Sequence, residues 1–181
     1  MCNLGWCFEE AGDLRQAASW YEKASEAHCV RGSFSLGQLY LKGKAQVAGG
    51  QAGDTRLKAF ALLSTAAKGG HAEAHNGLGT CFELGIGVRA SPEQAVVSYR
   101  ASAQGGCKMG MYHLGYLLLL RSAQEALKEG VHWLRAAAEN GVKDAPFQLG
   151  RLYEQAIGVP EDSQAALANY KSAAELGHAK S

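Results

Sequence analysis

An all-α solenoid of about five helix-turn-helix repeats is the fold that this 181-residue chain predicts, and three observations predict it. A Leu-Gly pair recurs at Leu4-Gly5, Leu36-Gly37, Leu78-Gly79, Leu114-Gly115 and Leu149-Gly150, at separations of 32, 42, 36 and 35 residues. Downstream of each pair comes a small-x3-large-x2-small pattern: Ala17/Tyr21/Ala24, Ala59/Leu63/Ala66, Ala95/Tyr99/Ser102, Gly130/Leu134/Ala137 and Ala166/Tyr170/Ala173. The 23 glycines sit at recurring places among helix-forming Ala, Leu, Glu, Gln and Lys, not in linkers. Spacings of four and three mark one helical face. A Gly on one helix and an Ala on the next let two backbones cross closely while Leu or Tyr fills the flanks. Such a hairpin cannot bury its apolar face alone, so five of them must stack.

Ten helices follow in order, at about 1–11, 13–27, 30–42, 54–69, 72–84, 92–105, 108–120, 123–140, 143–156 and 161–177. Start signals lie between the two patterns. Asp13 with Gln16, Ser91-Pro92 with Gln94, and Ser122 with Glu125 each read as an N-cap followed by a capping-box partner. Stop signals are Gly69-Gly70, Gly105-Gly106, Gly141 and Gly177, where the second helix of a hairpin must end and turn into the next.

Leu78-Gly79-Thr80-Cys81-Phe82, then Gly85-Ile86-Gly87-Val88, then Gln94-Ala95 and Tyr99, resembles the Sel1-like repeat family. The fifth copy agrees through Leu149-Gly150-Arg151-Leu152-Tyr153, Ile157-Gly158-Val159, Tyr170 to Ala174 and Gly177. The resemblance implies a relative of tetratricopeptide repeats with a longer inter-helix loop, a right-handed superhelix, and service as an adaptor or assembly scaffold. Repeats are expected at about 1–29, 30–71, 72–107, 108–142 and 143–181, in a single array. No polar capping helix is visible at either end, so a longer parent chain or covering partners are expected.

Individual copies depart from the pattern. In the first, only 12 residues separate Gly5 from Ala17, which is closer to a tetratricopeptide repeat. In the second, 22 separate Gly37 from Ala59, against 16 from Gly79 to Ala95, and the excess between Lys44 and Asp54 is expected to be a mobile loop. The fourth lacks the Gly-x-Gly-Val turn and runs from Leu117-Leu120 into Arg121-Ser122.

Charge and composition exclude several functions. With 18 Lys plus Arg against 17 Asp plus Glu, the formal charge is +1, which gives no electrostatic drive toward nucleic acid or an anionic membrane surface. Apolar runs such as Leu117–Leu120 are far short of a membrane span, and because Met1, Cys2 and Asn3 lack the charged and apolar regions of a signal peptide, no targeting signal is expected in this segment. The five cysteines include no Cys-x-x-Cys, and the cross-hairpin pairing of some bacterial family members needs a spacing absent here. Buried free thiols are therefore expected, as in the cytoplasm or another reducing compartment. Cys2 with Cys29 is the only pair that neighbouring first helices could bring near each other, and it stands as the alternative to free thiols.

No cofactor, metal or catalytic constellation is expected. His71 and His75 stand four apart, but His71 occupies an inter-repeat turn, as His178 does, and no third ligand lies at suitable spacing. Nucleophile elbow, P-loop and dinucleotide fingerprints are missing. Family members described as β-lactam hydrolases find no support here, because no Ser-x-x-Lys motif occurs.

By analogy with tetratricopeptide arrays, residues five and two before each repeat leucine, and two, five and six after it, line the concave first-helix face. In copy three these are Glu73, Asn76, Thr80, Glu83 and Leu84, and in copy five Asp144, Phe147, Arg151, Glu154 and Gln155. Copy four gives Met109, Tyr112, Tyr116, Leu119 and Leu120, all apolar or aromatic, with Phe147 alongside. Either the neighbouring helices cover this set or it is a partner site. The partner-binding residues expected are Met109, Tyr112, Tyr116, Leu119, Leu120, Phe147 and Arg151, flanked by Arg31 and Lys42 on one side and Asp144 and Glu154 on the other. The function expected is a non-catalytic protein-protein interaction scaffold in a larger complex, with a protein or peptide as partner. A regulatory module attached to an enzyme outside these residues is the alternative.

Overall fold

The computed structural model describes residues 1–45, 50–121 and 123–177. These residues form ten α-helices in five sequential pairs: α1 (Cys2–Glu10) with α2 (Leu14–Glu26), α3 (Val30–Leu41) with α4 (Ala52–Lys68), α5 (Ala72–Leu84) with α6 (Pro92–Gln104), α7 (Lys108–Leu119) with α8 (Gln124–Glu139), and α9 (Asp144–Glu154) with α10 (Ser163–Glu175). The chain divides into two compact units, Met1–Ser98 and Tyr99–Ser181, each taken by itself below.

The helix starts follow the capping chemistry. Asp13 accepts the backbone N–H of Gln16 at 3.1 Å, and Ser91 Oγ accepts that of Gln94 at 3.3 Å. Helix α4 begins two residues earlier than expected because Gln51 caps it, with the Asp54 carboxylate accepting the Gln51 N–H at 2.9 Å. The expected mobile loop therefore ends at Gln51, and its residues 46–49 lie outside the described residues, as do Ser122 and His178.

Every residue of the small-x3-large-x2-small pattern is buried except Tyr170, which is half-buried. The repeat glycines make room for its large member. A methyl group on Gly5 would strike the Tyr21 ring, on Gly37 the Leu63 side chain, on Gly115 Leu134, and on Gly150 the Tyr170 ring. A second set of small residues, four before the repeat leucine, sets the crossing onto the preceding pair: Gly32 lies against Ala24, and Gly110 against Ser102.

The glycine loop between paired helices has a long reach. Gly87 passes so close to the Arg56 carbonyl in the first turns of α4 that a side chain would not fit, and its neighbours Ile86 and Val88 enter the cluster of Leu63, Ala66, Ala74, Leu78 and Cys81. In the other unit Gly158 passes the Leu127 carbonyl of α8, and Ile157 and Val159 pack on Val131, Leu134, Leu149 and Leu152. The loop thus ties each of these copies to the second helix of the copy before it.

Where the second helix carries tyrosine, its hydroxyl needs a partner. Tyr21 donates to Glu9 at 2.9 Å and Tyr170 to Glu154 at 2.7 Å, each glutamate standing four residues after its repeat glycine. Where the second helix carries Leu63 or Leu134, the same first-helix position is Leu41 or Leu119, and the contact is apolar. Burial, reinforced by the Glu9 carboxylate, pushes the Tyr21 phenol up to about 12 from its ordinary 10.0. The folded chain therefore holds a proton that the unfolded chain releases near pH 10. Stability from this group is intact below pH 10 and falls as pH rises from 10 to 12. Tyr21→Phe should flatten that part of the curve of melting temperature against pH.

Candidate functional site on the first helices

Two ion pairs join the second helices of successive copies. Lys58 of α4 meets Glu22 of α2 at 2.6 Å, and Arg100 of α6 forms a two-pronged pair with Glu129 of α8 at 2.8 and 2.9 Å, where Trp133 Nε1 also donates. Both pairs are about a third to two-fifths exposed, so they orient helices more than they stabilise them.

On the first helix of copy four, Met109, Tyr112, Tyr116 and Leu120 follow one another at spacings of three and four, one stripe along α7. Met109 is 37% exposed, Tyr116 42% and Leu120 69%. Tyr112 is half-buried beside α9, where burial first and then the Asp144 carboxylate raise its phenol above the ordinary range, while the Gln148 side chain hydrogen-bonds to it. Phe147 is also half-buried, with its ring 5.7 Å from that of Tyr170, and Arg151 is exposed one turn further along α9. Leu119 differs from the rest of the stripe. It packs on Leu134 and into the hollow left by Gly130, so much of its surface serves the α7–α8 crossing.

Sequence positions in the other unit also converge. Asn76, Thr80 and Leu84 of α5 line a cleft of about 310 Å³ with Gln38, Leu41 and Lys42 from the end of α3 and Ile86 from the glycine loop. Gln38, Leu41 and Lys42 stand two, five and six residues after Leu36, the positions that the rule for each repeat leucine assigns to this face. Exposed Leu4 and Trp6 on α1 add apolar surface at the first copy. A depression of about 220 Å³ beside the Tyr170–Glu154 contact is lined by Glu161, Ser163, Ala166 and Leu167.

Histidines and thiols are placed as follows. His71 caps α5 and stacks on Phe34 at 4.1 Å, with Nδ1 3.1 Å from the Glu73 carboxylate but not aligned for a hydrogen bond. Among the described residues no three His, Cys, Asp or Glu side chains converge as metal ligands, and no helix is long and apolar enough to cross a membrane. Cys81 and Cys107 are buried, Cys7 is exposed, and Cys2 and Cys29 are half-buried with their sulfurs 2.9 Å apart.

The chain is 34% identical to the protein SHC1 of Saccharomyces cerevisiae over 152 residues, covering 78% of this chain and 30% of that one. It is 28% identical to the chitin synthase regulator SKT5 of the same yeast over 179 residues (93% and 25%), and 30% identical to chitin synthase regulatory factor 3 of Schizosaccharomyces pombe over 129 (67% and 14%). The chain thus spans less than a third of the length of these relatives. Among solved structures, a Sel1 repeat protein from Oxalobacter formigenes superposes with a TM-score of 0.82 at 25% identity, over 98% of this chain and 70% of that one. A protective antigen of uropathogenic Escherichia coli with the same class of fold gives 0.56 at 25% identity, over 96% and 45%. The Sel1 repeat model matches residues 1–29, 31–71, 72–107, 108–142 and 144–178, and the chain belongs to the Sel1 repeat family, with five repeats across its length.

Proposed function

We propose that this chain is a non-catalytic protein-protein interaction module that serves in a regulatory assembly, with a partner segment docking on its first helices. The observation that carries this reading is the exposed stripe of α7, Met109, Tyr116 and Leu120, continued by the half-buried Tyr112 and Phe147 and bordered by Arg151. Tyrosine suits such a role because a large rigid ring is buried at low entropy cost and keeps a hydroxyl for a polar partner group. Asp144, Arg151 and Glu154 beside the stripe set the register of a segment of mixed charge more than its affinity.

Cross-linking of the chain to its partner, followed by peptide mapping, tests the location: links should cluster on residues 108–121 and 144–155. Tyr116→Ala should weaken binding by on the order of thirty-fold, about 2 kcal/mol at a hot-spot ring. Unchanged affinity, with links confined to other helices, would move the interface elsewhere. The yeast relatives named as regulators of chitin synthase support a second, narrower reading, in which the assembly contains such an enzyme. Co-purification of the chain with a chitin synthase, and its loss in Tyr116→Ala, checks that reading.

A further inference from the structure

We infer that Cys2 and Cys29 form a redox-active dithiol, a site at which a small disulfide such as oxidised glutathione closes an intramolecular Cys2–Cys29 bridge between α1 and α3. The carrying observation is geometric. Cys2 opens α1, Cys29 is the N-cap of α3, 27 residues separate them, and their sulfurs lie 2.9 Å apart. A bonded pair sits at about 2.05 Å, so closure needs an approach of less than an ångström.

The environment divides the two roles. The Cys29 sulfur receives the Cys2 thiol and the N–H groups of Gly32 and Arg31 at the start of α3, all of which favour its thiolate and hold its pKa below the ordinary thiol range. Burial and the neighbouring Cys29 push the Cys2 thiol the other way. Cys29 is therefore the attacking sulfur. Its thiol gives up a proton and the thiolate attacks one sulfur of the oxidised glutathione; that S–S bond breaks, a Cys29–glutathione disulfide forms, and one glutathione thiolate leaves and takes the proton. The Cys2 thiol then loses its proton, its sulfur attacks the Cys29 sulfur, and the second glutathione departs as a thiol. Overall the protein loses two hydrogens, and the two electrons reduce one glutathione disulfide to two thiols.

The other thiols lack this arrangement. Cys81 is fully buried and burial pushes it up to about 11, Cys107 is buried, and Cys7 is exposed. A closed bridge ties the first residue of α1 covalently to the N-cap of α3, closing the first repeat at its boundary with the second. Loss of loop freedom in the unfolded chain should raise the melting temperature by several degrees.

The test equilibrates the chain in glutathione buffers of stepped redox ratio, quenches with acid, alkylates free thiols and maps peptides by mass spectrometry. Expected are a Cys2–Cys29 linked peptide at oxidising ratios, its return to two thiols on reduction, and a rise in melting temperature with closure. Cys2→Ser should stop at a glutathione adduct on Cys29, and Cys29→Ser should lose the linked peptide and that adduct together. Circular dichroism of both variants confirms that the helices persist. The inference is overturned if no linked peptide forms at any ratio, if another pair forms first, or if Cys2→Ser shows no adduct preference for Cys29 over Cys7.

Discussion

Gly87→Ala is expected to destabilise the protein by about 3 kcal/mol, while Gly70→Ala costs about 1 kcal/mol, although both glycines have positive φ, +69° and +83°. The shared cost is the left-handed backbone, which a β-carbon strains. What separates them is space. A methyl on Gly70 meets nothing within 4 Å, whereas one on Gly87 falls on the Arg56 carbonyl and beside the Leu57 α-carbon. Those are helix backbone atoms and cannot swing aside as a side-chain tip would. Relief requires the loop to lift from α4, which draws Ile86 and Val88 out of the cluster around Leu63 and Leu78. Partial exposure of two aliphatic side chains supplies the remaining ~2 kcal/mol. Urea midpoints of the two variants measure the difference, and equal losses would show that the loop does not anchor this copy to its predecessor.

Most of the fold was legible because helix-pair crossings demand small residues at fixed offsets, and such residues leave a periodic trace. All ten helices end within two residues of their expected limits. The larger deviations have local causes: Gln51 rather than a short polar residue caps α4, and Asp162 caps α10 by accepting the N–H groups of Gln164 and Ala165. The turn before α3 uses His28 at φ +58° where later copies use glycine, so a search for glycine alone misses it. The crossing between copies leaves its own trace, since Gly32, Ala74, Gly110 and Ala145 stand four before each of their repeat leucines. That signal was available in the sequence.

The face on α7 was less legible, because spacing places residues on one side of a helix without saying what covers them. Leu119 illustrates the problem. Its position is that of Glu9 and Glu154, and its burial follows from Leu134 and Gly130 on the facing helix, a pairing evident only once Tyr21–Glu9 and Tyr170–Glu154 are seen beside it. Likewise, the Cys2–Cys29 approach depends on the register between α1 and α3, which the first copy's short loop left open.

Leu134→Ala is expected to cost about 4 kcal/mol. Its side chain is fully buried, sits against Gly115 where no methyl fits, and touches a cluster that includes Val131, Leu149 and Leu152. Gly115 and Gly130 bring the α7 and α8 backbones so close that they cannot approach further to fill the hole, so little of the cavity cost is recovered. Leu119→Ala, half-buried on the same crossing, should lose about 2 kcal/mol. Tyr116→Ala, removing a ring already 42% exposed, should lose under about 1 kcal/mol. Chemical denaturation of the three variants measures this order directly. It also separates packing from docking along α7, because a residue that weakens partner binding while barely moving the midpoint is an interaction residue. Were Tyr116→Ala to unfold the unit as readily as Leu134→Ala, the stripe would be core and the partner surface would have to lie on other helices.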